Sequence, residues 1–167
     1  MFKDKKLQFL EFKVNNNYYA LKLEEVKEIV LDVERQSIVN SFDFIDGIIK
    51  YREDIYTALD TELILKGKSI YEKEIYLLTY NKKNINIALR LNKITLIREV
   101  SEEQIEKPDL IEEVSDELFI QGIINLKEDH LIQIIDINKL IDYIENLKNI
   151  IIKENGGEEN VKKYENK

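Results

Sequence analysis

The chain has 167 residues, 44% of them hydrophobic and 35% charged, with a net charge of −8. At this length about 68–70% of the unfolded surface can be buried, so a real core is available to one domain or two small lobes. The acidic balance argues against a general nucleic-acid binder, and the absence of cysteine excludes disulfides and thiolate metal sites and points to a reducing cytoplasm. The basic start, Met1 to Lys6, runs into Leu7-Gln8-Phe9-Leu10-Glu11-Phe12, which is too interrupted for a signal peptide. No apolar run approaches the roughly 20 residues of a membrane-spanning helix.

Leu7, Phe9, Phe12 and Val14 alternate with polar positions, apart from Leu10, and predict a first strand. Asn15-Asn16-Asn17 supplies turn residues that tolerate positive φ, and Tyr18 to Leu23 alternates again, which makes a hairpin. Val26 to Leu31 is a third strand and Ser37 to Val39 a candidate fourth. Gly47 to Tyr51 and Ile55 to Leu59 form a second hairpin with the polar turn Arg52-Glu53-Asp54 at its tip. Asp60 or Thr61 can cap a short helix ending before Gly67.

The pattern then starts again. Glu74 to Tyr80, Ile85 to Leu91 and Lys93 to Val100 repeat the opening strands, and Ser101-Glu102-Glu103-Gln104 is a capping-box sequence for a brief helix stopped by Pro108. Leu118 to Leu126 and Leu131 to Ile135 copy the second hairpin, with Lys127 to His130 at the tip. The copying is literal. Phe44-Ile45-Asp46-Gly47-Ile48-Ile49 returns as Phe119-Ile120-Gln121-Gly122-Ile123-Ile124, an offset of 75, and Tyr19-Ala20-Leu21-Lys22-Leu23 returns as Ile87-Ala88-Leu89-Arg90-Leu91, an offset of 68.

Asp136 can cap an amphipathic helix with apolar positions Ile137, Leu140, Ile141, Ile144, Leu147 and Ile151, ended by Gly156-Gly157. The charged residues 158–167 read as a disordered tail. The expected architecture is mostly β, a single domain over 1–157. It has two similar five-stranded, SH3-like β-barrel lobes, the first about 15–70 with contributions from the ends and the second about 71–135, and a closing helix over about 136–155.

Chemistry is thinly represented. The one histidine, His130, falls at a hairpin tip and reads as a solvated residue rather than a base, and with no cysteine it makes a zinc site untenable. Glu112-Glu113 and Asp116-Glu117 read as a solvated acidic face, and no phosphate-cradling glycine loop or calcium-loop spacing occurs. No enzyme, metal or cofactor is indicated. Tyrosines 18, 19, 51, 56, 71, 76 and 80 fit strand propensity or a binding platform. Tyr51 stands apart, because it directly precedes Arg52 and the pair combines two residue types favoured in interface hot spots.

These motifs together resemble the CheW-like domain. The resemblance is carried by the Phe-rich first strand, Tyr19-Ala20-Leu21, Val26-x-Glu28-Ile29, Phe44-Ile45-x-Gly47-Ile48-Ile49-x-x-Arg52, Phe119-Ile120-x-Gly122 and Ile134-Ile135-Asp136-Ile137-x-x-Leu140, over about residues 6 to 142. It implies two β-barrel lobes without catalysis, in a cytoplasmic chemotaxis adaptor that couples the cytoplasmic tip of chemoreceptors to the regulatory domain of the histidine kinase CheA. It also implies partner contact, or shaping of the contact surface, at Val26, Glu28, Gly47 and Arg52, beside Tyr51. Where the family reads Pro-Asn-Ala-Pro and Asn-Leu-Arg-Gly, this chain has Val39-Asn40-Ser41-Phe42 and Lys50-Tyr51-Arg52-Glu53. Two other readings stay open: a module that binds the kinase without the receptor, and a small-ligand-binding or catalytic β-barrel protein.

Overall fold

A computed structural model describes residues 5–39, 41–65, 67–107, 119–126 and 130–165, with side chains as far as 154. The strands are Lys6–Val14 (β1), Asn17–Lys22 (β2), Val26–Leu31 (β3), Arg35–Gln36 (β4), Ile45–Tyr51 (β5) and Asp54–Asp60 (β6), followed by the one-turn helix Thr61–Ile64 (α1). The series repeats as Ile75–Thr79 (β7), Ile87–Leu91 (β8), Lys93–Ser101 (β9), Ile105–Glu106 (β10), Ile120–Asn125 (β11) and Leu131–Ile135 (β12), and closes with the helix Ile137–Glu165 (α2). Single 3-10 turns, Leu23–Glu25 and Glu102–Gln104, precede β3 and β10.

Local signals act where they were read. Asn15 and Asn84 take φ of 55° and 54° in the first turns of the two halves. Ser101 and Gln104 form the capping box, Asp60 caps α1 through Leu63 N (3.0 Å), and Asp136 caps α2 through Asn138 N (3.0 Å) and Lys139 N (3.1 Å). The fourth strand falls on Arg35–Gln36 instead of Ser37 to Val39. Pro108, the acidic pairs at 112–117 and Lys127 to Asp129 lie outside the described residues.

The strands form two six-stranded sheets, ordered β10-β11-β12-β2-β1-β9 and β4-β5-β6-β8-β7-β3. Each position in one order is held by the repeat of the strand at that position in the other. The duplication is therefore structural. In each sheet the central pair is parallel, β12 with β2 and β6 with β8, and every other pair is antiparallel.

The sheets depart from two expectations. The lobes are not consecutive: β3 to β6 are completed by β7 and β8 from the second half, while β1 and β2 join β9 to β12, so each half lends its opening hairpin to the other lobe. Alternation identifies strands but not their partners, and the parallel pairing that makes the exchange joins Thr57 to Ile87 across the midpoint of the chain. Nor is either lobe a closed five-stranded barrel. The two-residue strands β4 and β10 add a sixth member, and no ladder among the described residues joins the outermost strands. Those outermost strands are nonetheless neighbours in the chain, β3 with β4 and β9 with β10, so each sheet must curl to bring its edges round.

Curling produces three apolar clusters. Phe9, Ala20, Val100, Ile124, Ile132 and Ile134 fill one lobe, and Ile49, Tyr56, Ala58, Tyr76, Leu78 and Ala88 fill the other with Val30. The largest cluster is the seam between them, where Leu10, Phe12, Leu21, Leu77 and Leu89 meet Ile137, Leu140, Ile141 and Ile144 of α2. Strand alternation explains the split: Ala20 and Ala88 face the lobes while Tyr19, Leu21, Ile87 and Leu89 face the seam. Leu10, which interrupts the simple alternation of β1, belongs to the seam face of a strand buried on both sides. Tyr19, Tyr56 and Tyr76 are core residues, as strand propensity suggests.

The helix α2 runs past Gly156-Gly157 to Glu165, contrary to the break expected there and to a coil over 158–165. A helical glycine costs only about 1 kcal/mol relative to alanine, a penalty rather than a stop.

Candidate functional site

The β5–β6 hairpin pairs Tyr51 with Asp54, which leaves a two-residue turn, Arg52-Glu53. Arg52 adopts φ of 57°, a left-handed conformation that costs a residue with a Cβ about 1–2 kcal/mol. The consequence is presentation. The Arg52 side chain is 73% exposed, and its guanidinium lies 5.3 Å from the Tyr51 ring centroid.

β3 supplies the third member. Tyr51 Oη donates to Glu28 Oε1 at 2.7 Å, and Arg52 Nη2 reaches the same oxygen at 3.4 Å. The short bond from the tyrosine fixes the ring; the long, exposed contact to the arginine contributes at most about 0–1 kcal/mol. Arg52 is thus aimed but not tied down. Three of the five residues picked out from the sequence converge at one tip.

The other two lie elsewhere. Val26 pairs with Thr79, separated from Glu28 by a bulge in β3, and packs against the seam. Gly47 sits near the opposite end of β5, four residues from Tyr51, or about 13 Å at an ordinary strand rise. Both Gly47 and Gly122 follow a one-residue bulge, with Ile45 opposite Leu59 and Gly47 opposite Ala58 in one copy and Ile120 opposite Ile135 and Gly122 opposite Ile134 in the other. They are equivalent positions as expected, although each is the third residue of its strand. Gly47 alone has a left-handed φ, 142°, and a Cβ there would lie 2.4 Å from the Gln36 carbonyl oxygen. Its place is set by the close approach of β4.

A charged cluster under the same hairpin was not read from the sequence, because its members are scattered along it. Asp46 lies between Arg35 Nε (3.1 Å) and Arg90 Nη1 (3.1 Å), and Arg90 Nη2 continues to Glu74 at 2.7 Å. Burial pushes the Asp46 carboxyl above its ordinary range by more than the two arginines hold it down. Arg35 also donates to the Asp46 backbone carbonyl at 2.6 Å, which ties β4 to β5 beside Gly47.

A second feature missed from the sequence is a groove of about 1070 Å³ where the lobes part, lined by Ile29, Leu31, Ile70, Ile75 and Ile94 with lysines at its rim. Ile29 and Leu31 are 40% and 60% exposed, whereas Val30 between them is core. β3 therefore borders the groove with one set of side chains and offers Glu28 to the hairpin tip with the other.

His130 departs from its expected solvated state. Its ring lies 4.2 Å from that of Tyr18, and its Nε2 is 3.1 Å from Glu11 Oε1. Glu11 is buried on the lobe face of β1, where Arg98 Nε (2.8 Å) and the Thr95 hydroxyl complete its bonds. Burial pushes that carboxyl up, but the bonds from Arg98, Thr95 and His130 outweigh it and leave the carboxyl below its ordinary value. The three partners together satisfy the buried Glu11 carboxylate. Among the described residues there is no grouping of three or more metal-ligating side chains, and no helix is long and apolar enough to cross a membrane.

A search of curated proteins found no match. Among solved structures, the chain is similar to the crystal structure of the scaffolding protein TtCheW from Thermoanaerobacter tengcongensis, with a TM-score of 0.72 and 24% identity, covering 81% of this chain and 92% of that one. The family model for the CheW-like domain matches residues 8–145, which takes in both lobes, both bulge glycines and the start of α2. The chain belongs to the CheW-like domain family.

Proposed function

We propose that this protein is a non-catalytic scaffold of bacterial chemotaxis, in the cytoplasm, that couples the cytoplasmic tip of a chemoreceptor to the regulatory domain of the histidine kinase CheA. Family membership supports the scaffold role. The observation that carries the receptor side is the tip itself: a left-handed turn holds Arg52 out on a tyrosine whose hydroxyl is fixed by Glu28. A tyrosine fixed in this way with an arginine aimed over its ring combines two residue types that hot spots favour. Val26 shapes the start of the same strand, and Gly47 allows β4 to brace the hairpin.

The departures from the family at Lys50-Tyr51-Arg52-Glu53 make the first tip the place to test. Arg52→Ala is expected to leave the circular dichroism melt unchanged, because its ion pair is exposed. Receptor binding should weaken by about 1–2 kcal/mol or more, as for a moderate hot spot. Lys127→Ala, at the position that the sequence repeat sets against Arg52, is the control, since lysine lacks the planar fork of arginine. Equal and negligible losses in both variants would remove the first tip from the mechanism and favour a module that binds only the kinase.

A further inference from the structure

The 3-10 turn Leu23–Glu25 joins β2 to β3, and its repeat at an offset of 68 is Leu91-Asn92-Lys93, which joins β8 to β9. The duplication supplies an internal control for the acidic groups beside these turns. After β6, the capping residue Asp60 accepts from Leu63 N (3.0 Å) and Tyr71 Oη (2.7 Å) on one oxygen and from Ser69 Oγ on the other. Its neighbour Glu62 accepts from Ile70 N (3.2 Å) and Asn92 Nδ2. Every carboxylate there has a donor.

The equivalent corner after β12 is built differently. Asp136 turns its Oδ1 to the amides of α2, and the turn residue at the offset of Lys93 is an acid, Glu25. Glu25 Oε2 is buried with no hydrogen-bond partner among the described residues. The backbone holds it in place, because the Glu25 carbonyl accepts from Tyr80 N at 2.8 Å. The charged groups facing its carboxyl are Lys22 at the end of β2, Glu24 in the same turn and Asp136 at the start of α2. Lys22 favours the ionised form, and Asp136 and Glu24 oppose it, so burial decides the direction.

A carboxylate oxygen removed from water without a donor, beside two like charges, is stabilised by taking up a proton. We propose that Glu25 is a proton-operated latch at the turn that launches β3: protonated, it leaves its donor-free oxygen buried without a charge, and ionised, it loosens that turn. Burial, opposed by Lys22 and aided by Asp136 and Glu24, pushes the Glu25 carboxyl up to about 7. The native protein keeps this proton to higher pH than the unfolded chain does, so stability falls as pH rises from the ordinary carboxylate range through about 7. Above that value the whole penalty is present. Val26 and Glu28 follow Glu25 on β3, so the latch would also tune partner binding; that extension rests on the proposed function, whereas the latch does not.

The test is made on the full chain without a partner. Between about pH 5 and about pH 8 the unfolding constant of the natural protein is expected to rise about tenfold more than that of Glu25→Gln, the partial exposure of the side chain limiting the effect. Other carboxylates cancel in that difference. The side-chain carboxyl carbon of Glu25, followed by nuclear magnetic resonance, should titrate near 7, and Asp136→Asn should move its midpoint down, which a purely structural contact would not do. A Glu25 midpoint in the ordinary carboxylate range, or parallel pH profiles for the natural protein and Glu25→Gln, would overturn the proposal.

Discussion

Gly47→Ala is expected to destabilise the protein by about 2–4 kcal/mol, through left-handed backbone strain and a close backbone contact together. The φ of 142° is one that L side chains rarely adopt, and the added methyl would sit 2.4 Å from the carbonyl oxygen of Gln36. Relief would require moving β4, which the ion pair of Arg35 with Asp46 resists. Gly122→Ala is the matched control: its Cβ would press closest on the Ile105 methyl, at 3.0 Å, with the Glu106 carbonyl oxygen at 3.4 Å, and the glycine has no left-handed φ, so about 1 kcal/mol or less is expected. Denaturant midpoints at unchanged slope would measure both. Equal losses would show that the bulge itself, and not the approach of β4, makes glycine necessary at these positions. Any loss of partner binding in Gly47→Ala is then indirect, transmitted along β5 to Tyr51 and Arg52.

Neither half of the chain is expected to fold by itself. Cut after Lys73, residues 1–73 keep β1 to β6 but expose the edge of β6 that pairs with β8 and the edge of β2 that pairs with β12. The seam loses Leu77, Leu89 and every residue of α2 at the same time. Open edges and a halved apolar cluster leave too little burial to offset chain entropy of about 1–2 kcal/mol for each residue. Each fragment should therefore show no cooperative thermal transition, and an equimolar mixture should regain one. A cooperative transition in residues 1–73 alone would contradict the exchange of hairpins.

Much of the architecture was legible because its signals are local. The repeated Phe-Ile-x-Gly-Ile-Ile marks a bulged strand in both halves, and the alanines at 20 and 88 sit where the side-chain period turns inward to a small lobe core. Caps at Asp60, Ser101 and Asp136 could be read because a cap and its amides lie within three residues. What was hidden depends on distance or on competition between weak terms. The pairing of β6 with β8 joins residues 30 apart, and a two-residue strand such as β4 carries no periodicity at all. Glycine propensity alone misplaced the end of α2, because a cost of about 1 kcal/mol per residue does not decide a long helix.

The candidate site divides in the same way. Tyr51 and Arg52 were visible as neighbours at a turn, but the hydrogen bond from Tyr51 to Glu28 crosses 23 positions and exists only because curling carries the edge strand β3 to the hairpin tip. The inter-lobe groove was hidden for a related reason: Ile29 and Leu31 look like core until the sheet shows which face of β3 the other lobe leaves uncovered.

An adaptor must hold two partners at once, and reconstitution measures whether this chain does. Receptor cytoplasmic fragments are anchored on vesicles, the kinase is added, and the kinase that sediments is measured with and without this protein and with Arg52→Ala. Kinase should sediment with receptor in amounts that depend on this protein, and Arg52→Ala should reduce that amount about tenfold at limiting concentration while still binding kinase in solution. Sedimentation that is unchanged by adding the protein, with kinase binding intact, would contradict the adaptor role.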